Sequence, residues 1–319
     1  MKKIIHATIF VSLLISIFFG CTNTKNVRWE TDYQKALEIA KEENKGIFLL
    51  FSGTAWDGVT GNLFPTVFSS DKFKKEASKY YILCNIDFPE TTDDLAINEE
   101  TIKNYDIADK YFVDRVPQAF IITPDELVIS PVYFAMESIT PENFVAEIKK
   151  YEGATKKVLS IENKLAKATG IKRAELLSEL YNNLYDDYRS LFQNYAQEAL
   201  NLDPNNETKA MGKFMLLTAY PKSEEAFSQG NTQQAVQIFL DLAESDVLTP
   251  EEKQEAYHNA GYIIAMDEKG DINLVIDYLS KAYGAAPQSE QARSILEMIE
   301  QMKAVEQEMK DKTVNPSNN

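Results

Sequence analysis

The chain has 319 residues, 44% hydrophobic and 26% charged, an ordinary globular composition with material for two domains and no sign of wholesale disorder. A formal net charge of −16 argues against nucleic acid, whose phosphates demand clustered Lys and Arg, and against docking on an anionic bilayer through basic residues alone. Two histidines, His6 and His258, supply no nitrogen cluster for zinc, and neither a metal nor another cofactor is expected.

Lys2 and Lys3 open the chain, Ile4 to Phe19 is a nearly unbroken apolar run, and small Gly20 precedes Cys21. That is the grammar of an export signal. The run of 16 residues is shorter than the roughly 20 a spanning helix needs; a simple cleaved signal or a membrane anchor is the plainer alternative. Gly20-Cys21 at the end of such a run resembles the lipobox of bacterial lipoproteins, with Phe18 where leucine is usual. The resemblance implies cleavage before Cys21, acylation of that residue and attachment within the bacterial cell envelope. Thr22 in place of an aspartate implies the periplasmic side of the outer membrane, if the organism is Gram-negative. Residues 1–20 are then a signal peptide and residues 21–27 a lipidated tether.

Trp29 to Asn44 carries Tyr33, Ala36, Leu37, Ile39 and Ala40 at helical spacing, and Gly46 follows. Ile47 to Phe51 is continuously apolar, which predicts a central strand covered on both faces. Leu63 to Ser70 and Asp71 to Lys79 are predicted helical, with Pro65 kinking the first and Ser70 or Asp71 capping the second. Tyr80 to Asp87 reads as a buried strand, and Cys84 within it as a small apolar residue. A reactive or intermolecularly paired thiol at Cys84 is the alternative. Phe88 to Lys103 is acid-rich without calcium-loop spacing, and reads as a solvated helix-capping insertion. Pro117 opens a further strand, Thr123 to Glu126 is a hairpin turn into Leu127-Val128-Ile129, and Thr140 caps a last helix from Pro141 to Tyr151.

The stretch from Phe48 through Trp56-Asp57-Gly58-Val59-Thr60 resembles a thioredoxin-family strand running into its W-C-x-x-C turn, with Asp57 and Thr60 where the two cysteines would stand. Pro65, eight residues after Asp57, matches the kinking proline of that family, and Tyr111 to Ile122 resembles the segment around its cis-proline, here Pro117. The resemblance implies an α/β thioredoxin-like sandwich, a central mixed sheet flanked by helices, over residues 28–152. Dithiol exchange needs an attacking thiolate and a resolving thiol, and Asp57 and Thr60 can be neither. Asp57 reads first as a helix cap that keeps the negative charge of the family's thiolate. The functional alternative joins Asp57, Thr60, Trp56 and Pro117 in a polar peptide-binding notch.

From about Gly153 strand signals vanish. Lys156 to Thr169 and Lys172 to Asn183 are amphipathic, the second through Leu176, Leu177, Leu180, Tyr181 and Leu184. Tyr195 to Pro204, Gly230 to Ala235 with Phe239, and Gly270 through Leu279, Ala282 and Pro287 resemble tetratricopeptide repeats. The two glycine turns lie 40 residues apart, against about 34 for that family. The resemblance implies an all-α helical-repeat domain over residues 153–308 that binds proteins or peptides on a concave face; an unrelated helical bundle would give much the same pattern. Tyr257, Tyr262, Tyr278 and Tyr283 are candidates for that face or for helix contacts, and residues 309–319 read as a frayed tail.

Together these expectations describe a membrane-anchored, redox-inactive protein-binding or scaffolding module, with other envelope proteins or peptides as partners. The alternative is a thiol-disulfide oxidoreductase or isomerase with an atypical active site, either acting through Cys84 or retaining family-type chaperone or isomerase activity. A Ser-His-Asp hydrolase lacks a base, because His258 stands alone beyond the signal.

Overall fold

The computed structural model describes residues 28–90, 99–134 and 138–314. Cys21, with the signal peptide and tether expected around it, lies outside the described residues, as do residues 315–319.

All seven residues of β1 (Gly46–Ser52) are buried, as an uninterrupted apolar run requires. It lies inside a four-stranded sheet of order β2-β1-β3-β4. β2 (Tyr81–Asp87) runs parallel to β1, while β3 (Gln118–Ile122) is antiparallel to β1 and to β4 (Val128–Val132). The hairpin between the last two is closed by the Thr123 hydroxyl, which accepts from the N–H groups of Asp125 and Leu127.

Alternation along β1 sorts its side chains to two cores. Ile47, Leu49 and Phe51 pack with Ala36 and Ala40 of α1 (Tyr33–Glu43) and Ala108 of α4 (Glu99–Lys110). Phe48 and Leu50 face Phe73 of α3 (Asp71–Ala77) and Phe144 of α5 (Pro141–Lys149). Ser70 and Thr140 cap these two helices, accepting from the N–H groups of Phe73 and Asn143. A mixed sheet with helices on both faces is the thioredoxin-like sandwich expected.

One expectation is corrected: Leu63 to Ser70 is not a single kinked helix. α2 (Gly58–Leu63) gives way to a π-turn over Phe64–Phe68, and the Ser69 N–H donates to the Phe64 carbonyl at 2.7 Å. Pro65 has no N–H to give the helical ladder, so the chain widens where it would otherwise bend.

The remaining chain is helical: α6 (Glu152–Leu165), α7 (Gly170–Tyr181), a 3-10 segment (Asp186–Phe192), α8 (Gln193–Leu202), α9 (Met211–Ser228), α10 (Thr232–Ala243), α11 (Pro250–Met266), α12 (Ile272–Ala285) and α13 (Ala292–Val314). Gly230, at φ 76°, makes the turn into α10, and Asn231 caps that helix. α13 continues past the point where the sequence suggests a frayed tail. Val158 and Ile161 of α6, Leu180 of α7 and Phe214 of α9 share one continuous core with Phe48 and Ile121 of the sheet. Phe239, Ala256, Leu279 and Ile295 centre a second core among α10 to α13.

Both outer strands are tied by backbone. On β2, the Glu30 N–H donates to the Leu83 carbonyl at 2.8 Å, and the Asn85 N–H to the Glu30 carbonyl at 2.9 Å. On β4, the Val128 carbonyl accepts from the Tyr185 N–H at 3.0 Å.

Candidate functional site

Past the end of β1 the chain turns through Gly53-Thr54-Ala55-Trp56 into α2. Asp87, at the end of parallel β2, holds that turn: it accepts from the Thr54 N–H at 2.8 Å, the Thr54 hydroxyl at 2.6 Å and the Ser52 hydroxyl at 2.7 Å. The Trp56 indole lies flat over Gly53, where a Cβ would come within 2.4 Å of the ring. Its Nε1 donates to the Phe88 carbonyl at 2.9 Å, yet the side chain stays 48% exposed.

Asp57 is the N-cap of α2. Its Oδ2 accepts from both the Thr60 N–H at 2.6 Å and the Thr60 hydroxyl at 2.8 Å. Thr60 Oγ1 accepts in turn from the Gly53 N–H at 3.2 Å, and the residue is fully buried. The two positions therefore satisfy each other: the carboxylate meets a helix N-terminus, and the hydroxyl is used on both sides.

The Val116–Pro117 peptide is cis. Pairing of Phe51 with Gln118 sets Pro117 beside the end of β1, as the thioredoxin resemblance implies. A groove of about 490 Å³ opens between Trp56 and Val116. Phe88 and Tyr105 line it with rings 5.1 Å apart, and Asp109, Asp114 and Arg115 supply charge at its wall. Trp56 thus belongs to an open aromatic groove, whereas Asp57, Thr60 and Pro117 are not among its lining residues. Sequence reasoning missed Phe88, Tyr105 and Asp109. Tyr105 and Asp109, one helical turn apart on α4, were the available signal.

Cys84 is elsewhere. It sits opposite Leu49 in β2 and is fully buried. Burial pushes its thiol far above the ordinary range, and the carboxylates of Glu30 and Asp32 push the same way. His258 is half-buried on α11, where burial lowers its imidazole pKa. Tyr257, Tyr278 and Tyr283 pack against the second helical core, while Tyr262 is exposed.

Residues 210–308, within the helical half, match a family described as an uncharacterised protein C-terminal domain. An uncharacterised protein of Treponema pallidum (strain Nichols) is 24% identical over 276 residues, covering 85% of this chain and 88% of its own. Two proteins of Chlamydia pneumoniae align with less. Disulfide bond reductase DsbH is 26% identical over 131 residues, 41% of this chain and 74% of the relative. Thioredoxin-related protein DsbJ is 23% identical over 124 residues, 38% of this chain and 34% of the relative. A solved DsbH oxidoreductase structure aligns at a TM-score of 0.35 and 24% identity, covering 40% of this chain and 85% of that one. By sequence, the N-terminal part of the chain is distantly similar to thioredoxin-like Dsb proteins, and a helical C-terminal region follows it.

Proposed function

We propose that the protein is a redox-inactive, thioredoxin-like binding module that holds extended polypeptide against the Trp56 groove. The observation that carries this reading is the mutual closure of Asp57 and Thr60 beside an open aromatic groove. A carboxylate and a buried hydroxyl supply neither the attacking thiolate nor the resolving thiol of disulfide exchange, whereas exposed Trp56 with Phe88 and Tyr105 offers apolar and stacking surface. The helical half would extend the binding surface in the manner of tetratricopeptide arrays. A lipid on Cys21 would keep the whole module at the envelope membrane, among envelope proteins.

The oxidoreductase alternative draws on the name of the DsbH relative. It would have to act through Cys84, the free thiol among the described residues, and burial works against both access and ionisation there. Insulin reduction with dithiothreitol separates the two readings. The native chain is expected at background, and the Asp57→Cys/Thr60→Cys double variant above it. Catalysis by the native chain that disappears in Cys84→Ala would establish the alternative.

A further inference from the structure

We infer that a second groove, at the opposite end of the central strand, binds a phosphate-bearing anion. It has a volume of about 540 Å³ and lies between α6 and Asn44, the left-handed C-cap of α1 just ahead of β1. Lys156, Ser160, Asn163 and Lys164 line it from α6 and Lys167 from the turn just after that helix, over a floor of buried Leu159. No carboxylate is among its lining residues.

That composition stands out in a chain of net charge −16. Several lysines pair with acidic neighbours, as Lys156 does with Glu152 at 2.6 Å. The ammonium groups of Lys164 and Lys167 have no hydrogen-bond or ion-pair partner among the described residues. Three residues apart, the two can converge on a single anion. The Asn163 amide is held at the groove by its 2.8 Å hydrogen bond to Asn44 Oδ1. Lys156 lies about 12 Å from Lys164 along the helix, at 1.5 Å rise per residue. The arrangement suits a compact anion at Lys164 and Lys167, and Lys156 would have to leave Glu152 to meet a second negative group on the same ligand. Point-charge ammonium donors and neutral amide and hydroxyl donors are what phosphate oxygens take. Free phosphate and a phospholipid headgroup share this chemistry.

Isothermal titration of the purified full chain tests it, with inorganic pyrophosphate in one arm and dihexanoyl phosphatidylglycerol below its micellar concentration in the other. Saturable binding is expected in at least one arm, and which arm responds names the source. The Lys164→Gln/Lys167→Gln variant should bind about tenfold more weakly or worse, the loss expected when two charge-assisted contacts go. Lys303→Gln on α13 should bind as the native chain does, and all three proteins should melt at the same temperature. Absence of saturation in both arms overturns the inference. So does equal binding by a double variant whose melting and circular dichroism are unchanged.

Discussion

The Thr60 hydroxyl donates to Asp57 Oδ2 at 2.8 Å while accepting from the Gly53 N–H at 3.2 Å. One side chain thereby links the end of β1, the cap of α2 and the turn between them. Asp57→Ala removes the acceptor for two donors, and a lost N-cap costs about 0.5–2 kcal/mol. Urea unfolding should show that decrease, with Asp57→Asn retaining most of the native stability. An alanine variant as stable as the native chain would mean that the cap contributes nothing.

Gly53 is the seat of the Trp56 indole. Gly53→Ala should displace the ring, break its hydrogen bond to Phe88 and cost about 1–3 kcal/mol through overpacking. The measurements are Trp56 fluorescence in a Trp29→Phe background, expected to shift red, and affinity for an extended aromatic peptide, expected to fall.

Glu162 of α6 gives a pH signature. Its Oε1 is buried without a hydrogen-bond partner, and burial pushes the carboxyl up to about 7, with Asp125 adding to the rise and the Thr123 hydroxyl and Lys41 opposing it. A carboxyl whose folded pKa is raised favours the fold below its unfolded pKa. That contribution is lost as pH climbs from about 4.5 through about 7. Stability should therefore fall over this window by an amount on the order of 3 kcal/mol. Glu162→Gln should flatten the dependence and be the more stable protein above pH 7. Parallel curves for the two proteins would show that Glu162 titrates normally.

Cys84 should be inert in the folded chain. Iodoacetamide at pH 8 is expected to leave the Cys84 peptide unmodified for as long as the protein stays folded, and to alkylate it promptly in urea. Mass spectrometry of the digested chain reads both. Prompt modification of the native state would contradict the burial and raised pKa described here.

The core shared between sheet and helices makes Ile161 of α6 a structural residue of the N-terminal half. Ile161→Ala should cost about 2–5 kcal/mol. Trp29, stacked 6.1 Å from Phe73 in the same core, should report that loss by fluorescence. An unfolding transition at Trp29 that ignores the substitution would mean that α6 merely rests against the sheet.

Much of this fold is legible in the chain. β1 could be read directly because Ile47 to Phe51 has no polar residue, and burial on both faces follows from that alone. Helix starts were legible where Ser70, Thr140 and Asn231 precede apolar periodicity. α4 was not, because Ile102 and Tyr105 face outward and leave Ala108 among its few buried apolar side chains. The groove wall that α4 supplies was hidden for the same reason. Pro65 announced an irregularity but not its form: a kink and a π-turn both dispense with one amide, and only the Ser69 to Phe64 hydrogen bond distinguishes them. The continuity of the core across residue 152 was equally hidden, since a change from alternating to helical periodicity marks a change of structure and says nothing of what packs against it.

The ties at Glu30 and Tyr185 have a consequence for how a guest chain can be received. A strand bordering solvent ordinarily invites another polypeptide to zip alongside it, amide to carbonyl. Here that invitation is partly withdrawn on each flank by the protein's own backbone. A visitor must be recognised by rings and charges at the tip of the sheet, where the order of its side chains, rather than bare peptide geometry, decides whether it stays.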